Sequence, residues 1–424
     1  MIKKAPELKI AFISQYFHPE PFSNTDMVRA LLENGHSVDV FCCVPNYPAG
    51  EFYEGYSNRD RREEELHGAN VYRAWTLPRG KSKIALLLNY LTFPVTASWQ
   101  IARKLKQADV ALVSMPSPLT QAIAGIFLKR TKGVPLVYWV QDIWPESPIL
   151  TLNLKSALIV KPLEWICGWI YRQADLVLVQ SKQFPAMIER FDVQSNKIRF
   201  LPNTAPEEYA PKTRDESKDE ACLVPQNGFR LMFAGNIGES QDFDTLIEAA
   251  RLLRAETALV WVIIGGGRGL ESARKRITDL GLEDQFLFLG RHPMNRMPNF
   301  FSHADAMLVS LKDNAIFNLT VPFKMQCYLA CGKPIVGSLN GEGARILEQS
   351  GAGYVAEASS PAKLAETIRK MVSSSAAERQ KMSELARTYF LERYSRDKVY
   401  GDLIAWLREA SENVDSKASS TAGT

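Results

Sequence analysis

The feature that most limits what this chain can fold into is a rhythm of short, unbroken apolar runs, each followed by a stretch with helical periodicity. In the first half the runs cover residues 9–14, 37–43, 70–75, 109–114, 135–140, 175–181 and 198–201. In the second half they cover residues 229–235, 258–265, 286–290, 306–311, 334–338 and 353–356. Runs rich in Val, Ile, Leu and Phe, without polar alternation, suit strands covered on both faces. Their alternation with helices means β-α-β units and parallel sheets. Thirteen such strands are too many for one doubly wound sheet. The expected fold class is therefore α/β, with two Rossmann-like, doubly wound parallel-sheet domains. A small signature recurs where a helix hands over to a strand: Ala108-Asp109, Ala174-Asp175 and Ala304-Asp305.

The boundaries follow from where the rhythm stops. Residues 206–226 hold Pro, Glu, Lys, Asp and Ser with almost no apolar periodicity, which reads as a linker or surface loop. This sets a first domain at residues 1–205 and a second at 227–395. The small, polar stretch 411–424 is expected to be disordered. The six cysteines are too sparse for a disulfide scaffold and form no Cys-x-x-Cys pair; with only five histidines, a structural zinc site is not expected. The opening residues carry no apolar signal core, so the expectation is a reduced, cytoplasmic protein.

Charge is distributed unevenly. Between Leu66 and Gln141 ten Lys and Arg residues face a single acid, Asp109, although the whole chain carries only +4. That field favours an anionic partner. Inside the segment, Ile84 to Ala102 is a run of nineteen residues without a charge, close to the length that spans a bilayer. Asn89, Pro94 and Gln100 disfavour a span, and the run is flanked by Arg79, Lys81 and Lys83 on one side and Arg103 and Lys104 on the other. With Trp99 inside it, the segment reads as one that lies at a membrane surface. A core helix with solvated basic ends is the alternative. Nucleic acid is not the expected partner, since the aromatic residues sit among aliphatic ones.

Several motifs point toward a phosphate-bearing ligand. Gly265-Gly266-Gly267-Arg268-Gly269 follows a strand and opens a helix, although Leu270 stands where a dinucleotide fingerprint has its third glycine. A plain tight turn reads equally well. Gly341-Glu342-Gly343-Ala344-Arg345 is a second glycine turn, with a cation in the first helical turn where the dipole disfavours it; a bound anion or simple exposure would account for it. Lys324 and Tyr328 share one face of a helix started by Pro322, and a lysine there is a plausible phosphate contact. At the end of another buried strand, Gln141 and Asp142 lead into Trp144 and Glu146, where parallel sheets place ligands.

With these residues in view, the chain resembles the retaining glycosyltransferases of family 4, which have the GT-B fold. The resemblance rests on Gly35-His36-Ser37-Val38-Asp39-Val40, Pro45-Asn46-Tyr47-Pro48, the run Asp142 to Ser147, Gly235-Asn236-Ile237-Gly238 with Gln241, and the run Pro322 to Pro334. It is greatest to O-antigen, capsule and colanic-acid transferases, including N-acetylfucosamine transferases. The resemblance implies two domains facing a central cleft. The donor, a nucleotide sugar and specifically a UDP-sugar, binds mostly to the second domain and the acceptor to the first. A last helix, 396–410, returns to the first domain, and no metal or other cofactor is required. The implied catalytic residues are Lys324, Asp142 and Gln141. The implied donor contacts are Ser23, Asn24, Asn236, Gln241, Gly265, Gly266, Arg291, Gln326, Tyr328, Glu342, Gly343 and Arg345. The implied acceptor is a saccharide on a polyprenyl diphosphate, held at an anionic membrane on the cytoplasmic side.

The chain departs from the wider family pattern. Asn236 and Gln241 stand where many members have an Arg and a Lys that grip the diphosphate, and Leu319 and Cys327 where many have a glutamate pair. Ser23-Asn24 replaces a glycine loop, and Gln141 a histidine. Lys324, Arg345 and Arg291 are the expected replacement charge. A GT-B enzyme acting on a soluble acceptor and a non-catalytic sugar-nucleotide-binding paralogue remain alternatives.

Overall fold

The computed structural model describes residues 6–80 and 82–421 and divides into two compact units: residues 1–202 with 399–424, and residues 203–398. In the first unit the elements run β1 (Lys9–Ile13), α1 (Asn24–Glu33), β2 (Ser37–Cys43), β3 (Glu63–Leu66), β4 (Ala69–Ala74), α2 (Lys83–Lys104), β5 (Val110–Met115), α3 (Ala122–Lys132), β6 (Leu136–Val140), α4 (Glu146–Leu152), α5 (Ala157–Arg172), β7 (Leu176–Val179), α6 (Phe184–Glu189) and β8 (Ile198–Phe200). In the second they run α7 (Lys218–Ala221), β9 (Phe229–Asn236), α8 (Phe243–Leu252), β10 (Leu259–Gly266), α9 (Leu270–Asp279), β11 (Phe286–Gly290), α10 (Met297–Ser302), β12 (Ala306–Ser310), α11 (Ala315–Leu319), α12 (Phe323–Ala330), β13 (Ile335–Ser338), α13 (Gly341–Ser350), β14 (Gly353–Ala356), α14 (Pro361–Ser373) and α15 (Ala376–Arg393). The helix α16 (Arg396–Thr421) closes the chain.

Each unit has its own sheet. The first is ordered β3-β4-β2-β1-β5-β6-β7-β8 and the second β11-β10-β9-β12-β13-β14. All neighbours are parallel except β3, which runs antiparallel to β4 at the edge. The strand order reverses beside β1 and β5 in one sheet and beside β9 and β12 in the other, and ligands bind outside the carboxyl ends of the strands at such points.

The recurring Ala-Asp signature acquires a function here. Asp109 accepts the backbone N–H of Lys9 at 2.7 Å, Asp175 that of Leu136 at 2.8 Å, and Asp305 that of Arg230 at 2.9 Å. Each aspartate therefore takes up a backbone donor at the start of the neighbouring strand.

Four expectations are corrected. A fourteenth strand, β3, appears where Glu63-Glu64-Glu65 gave no apolar run, because an edge strand needs no second covering face. The stretch 206–226 is not a free linker: Tyr209 and Val224 are buried in the second core, and Glu220, buried, pairs with Arg296 at 2.8 Å. The second unit accordingly begins at Asn203 and ends at Lys398. The tail expected to be disordered from 411 continues as helix to Thr421, since each residue added to a nucleated helix gains a hydrogen bond and no Gly or Pro intervenes. Residues 422–424 lie outside the described residues.

The last helix is part of the first unit. Val399, Tyr400, Leu403, Ile404, Leu407 and Ala410 recur at helical spacing and are buried with Leu8, Ile10, Phe12, Val28 and Leu31. Tyr400 donates to Asp26 at 2.8 Å, and Arg199 pairs with Glu409 at 3.1 Å.

Candidate functional site

In the second unit the carboxyl end of β9 is stripped of side chains. Gly265 has φ +134°, and a Cβ there would fall 1.9 Å from the Gly235 carbonyl oxygen, so the ends of β9 and β10 meet backbone to backbone. Lys324 reaches this bare surface from α12. Its Nζ donates to Gln241 Oε1 at 2.6 Å and lies 3.8 Å from the centre of the Phe233 ring. A Cβ on Gly235 would stand 3.0 Å from that Nζ. Lys324 keeps some solvent contact, yet loss of water around the ammonium group pulls its pKa down to about 7, with Cys327 acting in the opposite direction. No carboxylate among the described residues pairs with it. Asn236 is exposed on the same strand end, Gly266 packs against Arg291 Nε at 3.0 Å from where its Cβ would be, and Arg291 itself is exposed. Lys324, Gln241, Asn236, Gly265 and Gly266 thus come together, and a cation with only neutral hydrogen-bond partners is free to meet an anion.

Other expected donor contacts turn inward. Tyr328 is fully buried: its hydroxyl accepts from the Ala234 N–H at 3.1 Å and donates to the Ala234 carbonyl at 3.2 Å, so it clamps β9 instead of facing a ligand. It does share a face with Lys324, but that face lies against the sheet. Gln326 is buried, with its amide placed to donate to the carbonyls of Pro322 at 3.0 Å and Phe323 at 3.1 Å. Arg345 does not wait for an anion. Its Nε donates to Glu342 at 2.8 Å, its Nη1 to Gln349 at 2.7 Å, and Glu342 is buried beneath it. Gly343 lies inside α13, with Leu339 3.2 Å from where its Cβ would be.

In the first unit the carboxyl ends of β1, β5 and β6 are tied by one buried network. Asn24 donates to Ser14 at 2.9 Å and to the Tyr16 carbonyl at 2.8 Å. Ser114 donates to Asn24 at 2.6 Å and accepts from Gln141 Nε2 at 2.9 Å. Asn24 and Gln141 therefore hold strand ends in place, and Ser23 caps α1 without a side-chain hydrogen bond.

Beside this network lies a pocket of about 280 Å³, walled by Tyr16, Phe22, Tyr47, Tyr90 and Trp144, with Arg79 and Asp142 as its charged groups. Asp142 is exposed at the pocket, with neighbouring protein displacing part of its water. That loss of water pushes its carboxyl up to about 7, against a hydrogen bond from Ser117. Arg79, expected beside the membrane segment, turns into the pocket: it donates to Tyr16 Oη at 3.1 Å and its guanidinium lies 5.3 Å from the centre of the Tyr47 ring.

The pocket wall is set from below by Glu20, a residue the sequence reading did not single out. Its carboxylate accepts the backbone N–H groups of Asn46 and Tyr47, each at 2.7 Å, and of Phe17 at 3.2 Å. Burial still pushes its pKa up to about 7, ahead of those hydrogen bonds. Its motif, Pro45 to Pro48, was visible; the carboxylate that shapes it lies 25 residues earlier than Pro45 in sequence and had no local signal.

The charge-free segment forms α2, long and apolar enough to span a membrane, and it is neither wholly core nor wholly surface. One face packs on the first unit through Phe93, Ala97 and Ile101, with Asn89 donating to the Leu77 carbonyl at 2.7 Å and Gln100 accepting from Arg62 at 3.1 Å. The other face exposes Ile84 (72%), Leu87, Leu88, Leu91, Val95 (69%) and Trp99. Lys83 is exposed at its start, Arg103 stacks over Trp99 at 4.6 Å, and Lys104 is taken up by Glu63 at 2.7 Å. Lys81 lies outside the described residues.

Two sequence families cover most of the chain: one described as Glycosyl transferase 4-like domain matches residues 23–204, and one described as Glycosyl transferases group 1 matches residues 215–389. The Escherichia coli protein WcaI, named for glycosyl transfer in colanic acid biosynthesis, is 26% identical over 320 residues, covering 72% of this chain and 76% of its own. Among solved structures, HepE from Anabaena in complex with UDP superposes with a TM-score of 0.70 at 15% identity, covering 95% of this chain and 100% of that one. Sucrose-phosphate synthase from Thermosynechococcus elongatus superposes with a TM-score of 0.73 at 15% identity, over 95% and 99% of the two chains.

Proposed function

Given that this chain is a glycosyltransferase with the GT-B fold, we propose that it uses a nucleotide sugar and moves the sugar from a UDP-sugar, with retention of anomeric configuration, to a lipid-linked saccharide at the cytoplasmic face of a membrane during assembly of a bacterial surface polysaccharide. The observation that carries the lipid-linked acceptor is the exposed face of α2, where Ile84, Leu87, Leu91, Val95 and Trp99 form a continuous apolar stripe between Lys83 and Arg103. Aliphatic and indole side chains on a helix with basic ends suit the boundary of an anionic leaflet.

The roles divide between the units. In the second, Lys324 grips the donor diphosphate at the bare end of β9, with Asn236 and Gln241 as neutral partners and Arg291 at the edge. In place of an Arg and a Lys on the β9 loop, one ammonium from α12 carries the charge. It gains a proton as the anion arrives, because the anion repays the water that burial removed. In the first, Asp142 accepts from an acceptor hydroxyl, while Gln141 fixes the strand end behind it. No metal takes part in this reading, since Lys324 neutralises the charge that develops on the leaving diphosphate.

The experiment is transfer of labelled sugar from a panel of UDP-sugars to a polyprenyl-diphosphate saccharide, with the product's anomeric configuration read by NMR. Transfer that keeps the configuration and survives EDTA is expected. Transfer only to soluble acceptors, inversion, or loss of activity restored by magnesium would each remove the corresponding part.

A further inference from the structure

Arg79 is a half-buried cation with no carboxylate partner among the described residues. It is held by the Tyr16 hydroxyl and the Tyr47 ring, while Asn46 Oδ1 accepts its backbone N–H at 3.0 Å. Elsewhere in the first unit, cations near the sheet are matched: buried Arg73 with Glu64, Lys129 with Asp175 at 2.8 Å, Lys104 with Glu63 at 2.7 Å. Holding a guanidinium among rings, with its charge unanswered and its fork facing a pocket, prepares a place for a bidentate anion.

The rim of the same pocket is apolar. Leu86 and Tyr90 come from α2, and Pro148 and Leu152 from α4. A few residues after α4 begins α5, which exposes Leu158 (88%), Ile159 and Trp165 (69%). The short turn Leu119–Gln121 packs against both α2 and α5, so two exposed apolar helices flank one end of the sheet. An anion at Arg79 whose other substituent is a hydrocarbon chain would find that chain an apolar way out.

We propose that this pocket takes the glycosyl diphosphate junction of the acceptor: Arg79 grips the phosphate, the tyrosine and tryptophan rings stack on the sugar, and the hydrocarbon chain leaves between α2 and α5. The proposal rests on the lipid-linked reading for the chain, and on Arg79 alone for the phosphate. It makes Arg79 the residue that distinguishes phosphate-bearing acceptors from free sugars.

The test is isothermal titration in saturating UDP, which keeps added diphosphate out of the donor site, with three probes: farnesyl diphosphate, inorganic pyrophosphate and farnesol. Wild-type protein should bind farnesyl diphosphate most tightly, pyrophosphate more weakly and farnesol weakest. Arg79→Gln should weaken both diphosphates by about tenfold or more and leave farnesol unchanged, with Arg79→Lys in between. Leu91→Glu and Leu158→Glu, both at exposed positions, should weaken farnesyl diphosphate and spare pyrophosphate. Unchanged diphosphate binding in Arg79→Gln, or farnesol bound as tightly as its diphosphate by wild type, overturns the pocket assignment. If pyrophosphate and farnesyl diphosphate bind equally and both through Arg79, the anion site stands and it is the lipid-linked reading that falls.

Discussion

The first unit turns Ile84, Leu87, Leu91, Val95, Trp99, Leu158 and Trp165 to solvent, whereas in the second the exposed large hydrophobic side chains among the described residues are Leu223, Leu252, Met294, Leu385 and Leu391. The second unit dresses its outer helices with ion pairs instead: Arg276 of α9 reaches Asp244 and Glu248 of α8, the latter at 2.7 Å, and Lys275 pairs with Asp279 at 2.6 Å. Both units meet the same demand, a parallel sheet covered on both faces. That demand fixes only the inward side of each helix. The outward side is free to vary, and the two units dress it differently.

The sharpest separation of the two should come from Asp305→Ala. Asp305 holds nearly buried Arg230 through Nε at 2.7 Å and takes its backbone N–H, so removal strands a buried cation. A loss of about 3–5 kcal/mol is expected, seen in calorimetry as earlier melting of the second unit, with binding to anionic vesicles by the first unit unchanged. Coincident loss of vesicle binding at temperatures below that melting would break the division of labour.

Next in size, Lys324→Ala should lower kcat/KM for the donor by about a hundredfold, the cost of removing one preorganised charge from a developing anion, without touching vesicle binding. The sign of its pH dependence is fixed by the low pKa. The folded state gives up the lysine proton near pH 7, well before the unfolded chain does, so the stability cost of the buried charge is full below about 7 and fades as pH rises. Donor affinity runs the other way: the Michaelis constant should climb above pH 7 in wild type and stay flat in Lys324→Arg. A flat wild-type profile would remove Lys324 from the site.

A smaller effect belongs to Leu87→Glu with Leu91→Glu, both on the exposed face of α2. Vesicle affinity should fall at least about tenfold while melting stays within about 0.5 kcal/mol, because neither side chain is in the core. Equal loss of stability would mean that this face is structural. The smallest belongs to Lys275→Ala in the second unit, an exposed pair worth less than about 0.5 kcal/mol, with no change in turnover or vesicle binding.

The sheets were legible in the sequence because buried parallel strands write themselves as apolar runs. β3 was not, since Glu63 to Leu66 carries the charge an exposed edge tolerates. The recurring Ala-Asp pairs were visible but mute until Lys9, Leu136 and Arg230 appeared as the donors they satisfy. Lys324 was readable from its helix-start position. Tyr328, one turn further, was misread because helical spacing says which residues share a face but not whether that face meets a ligand or a sheet. Arg79, expected at the membrane and acceptor side, was only partly legible for a related reason. Linear distance from Lys83 placed it with the membrane charges, while Tyr16 and Tyr47, some 63 and 32 residues earlier in sequence, draw it into the pocket.

The last helix carries a consequence for how this molecule is made. Leu8, Ile10 and Phe12 leave the ribosome before any of the second unit, and the Leu403, Ile404 and Leu407 that help bury them leave after all of it. While the second unit is being synthesised and can fold on its own continuous stretch, the first unit waits with one flank of its core open. It is exposed in that interval to chaperones and to premature association. A released chain ending at Lys398 should carry a protease-resistant second unit and a protease-sensitive first one, the reverse of the order in which they emerge.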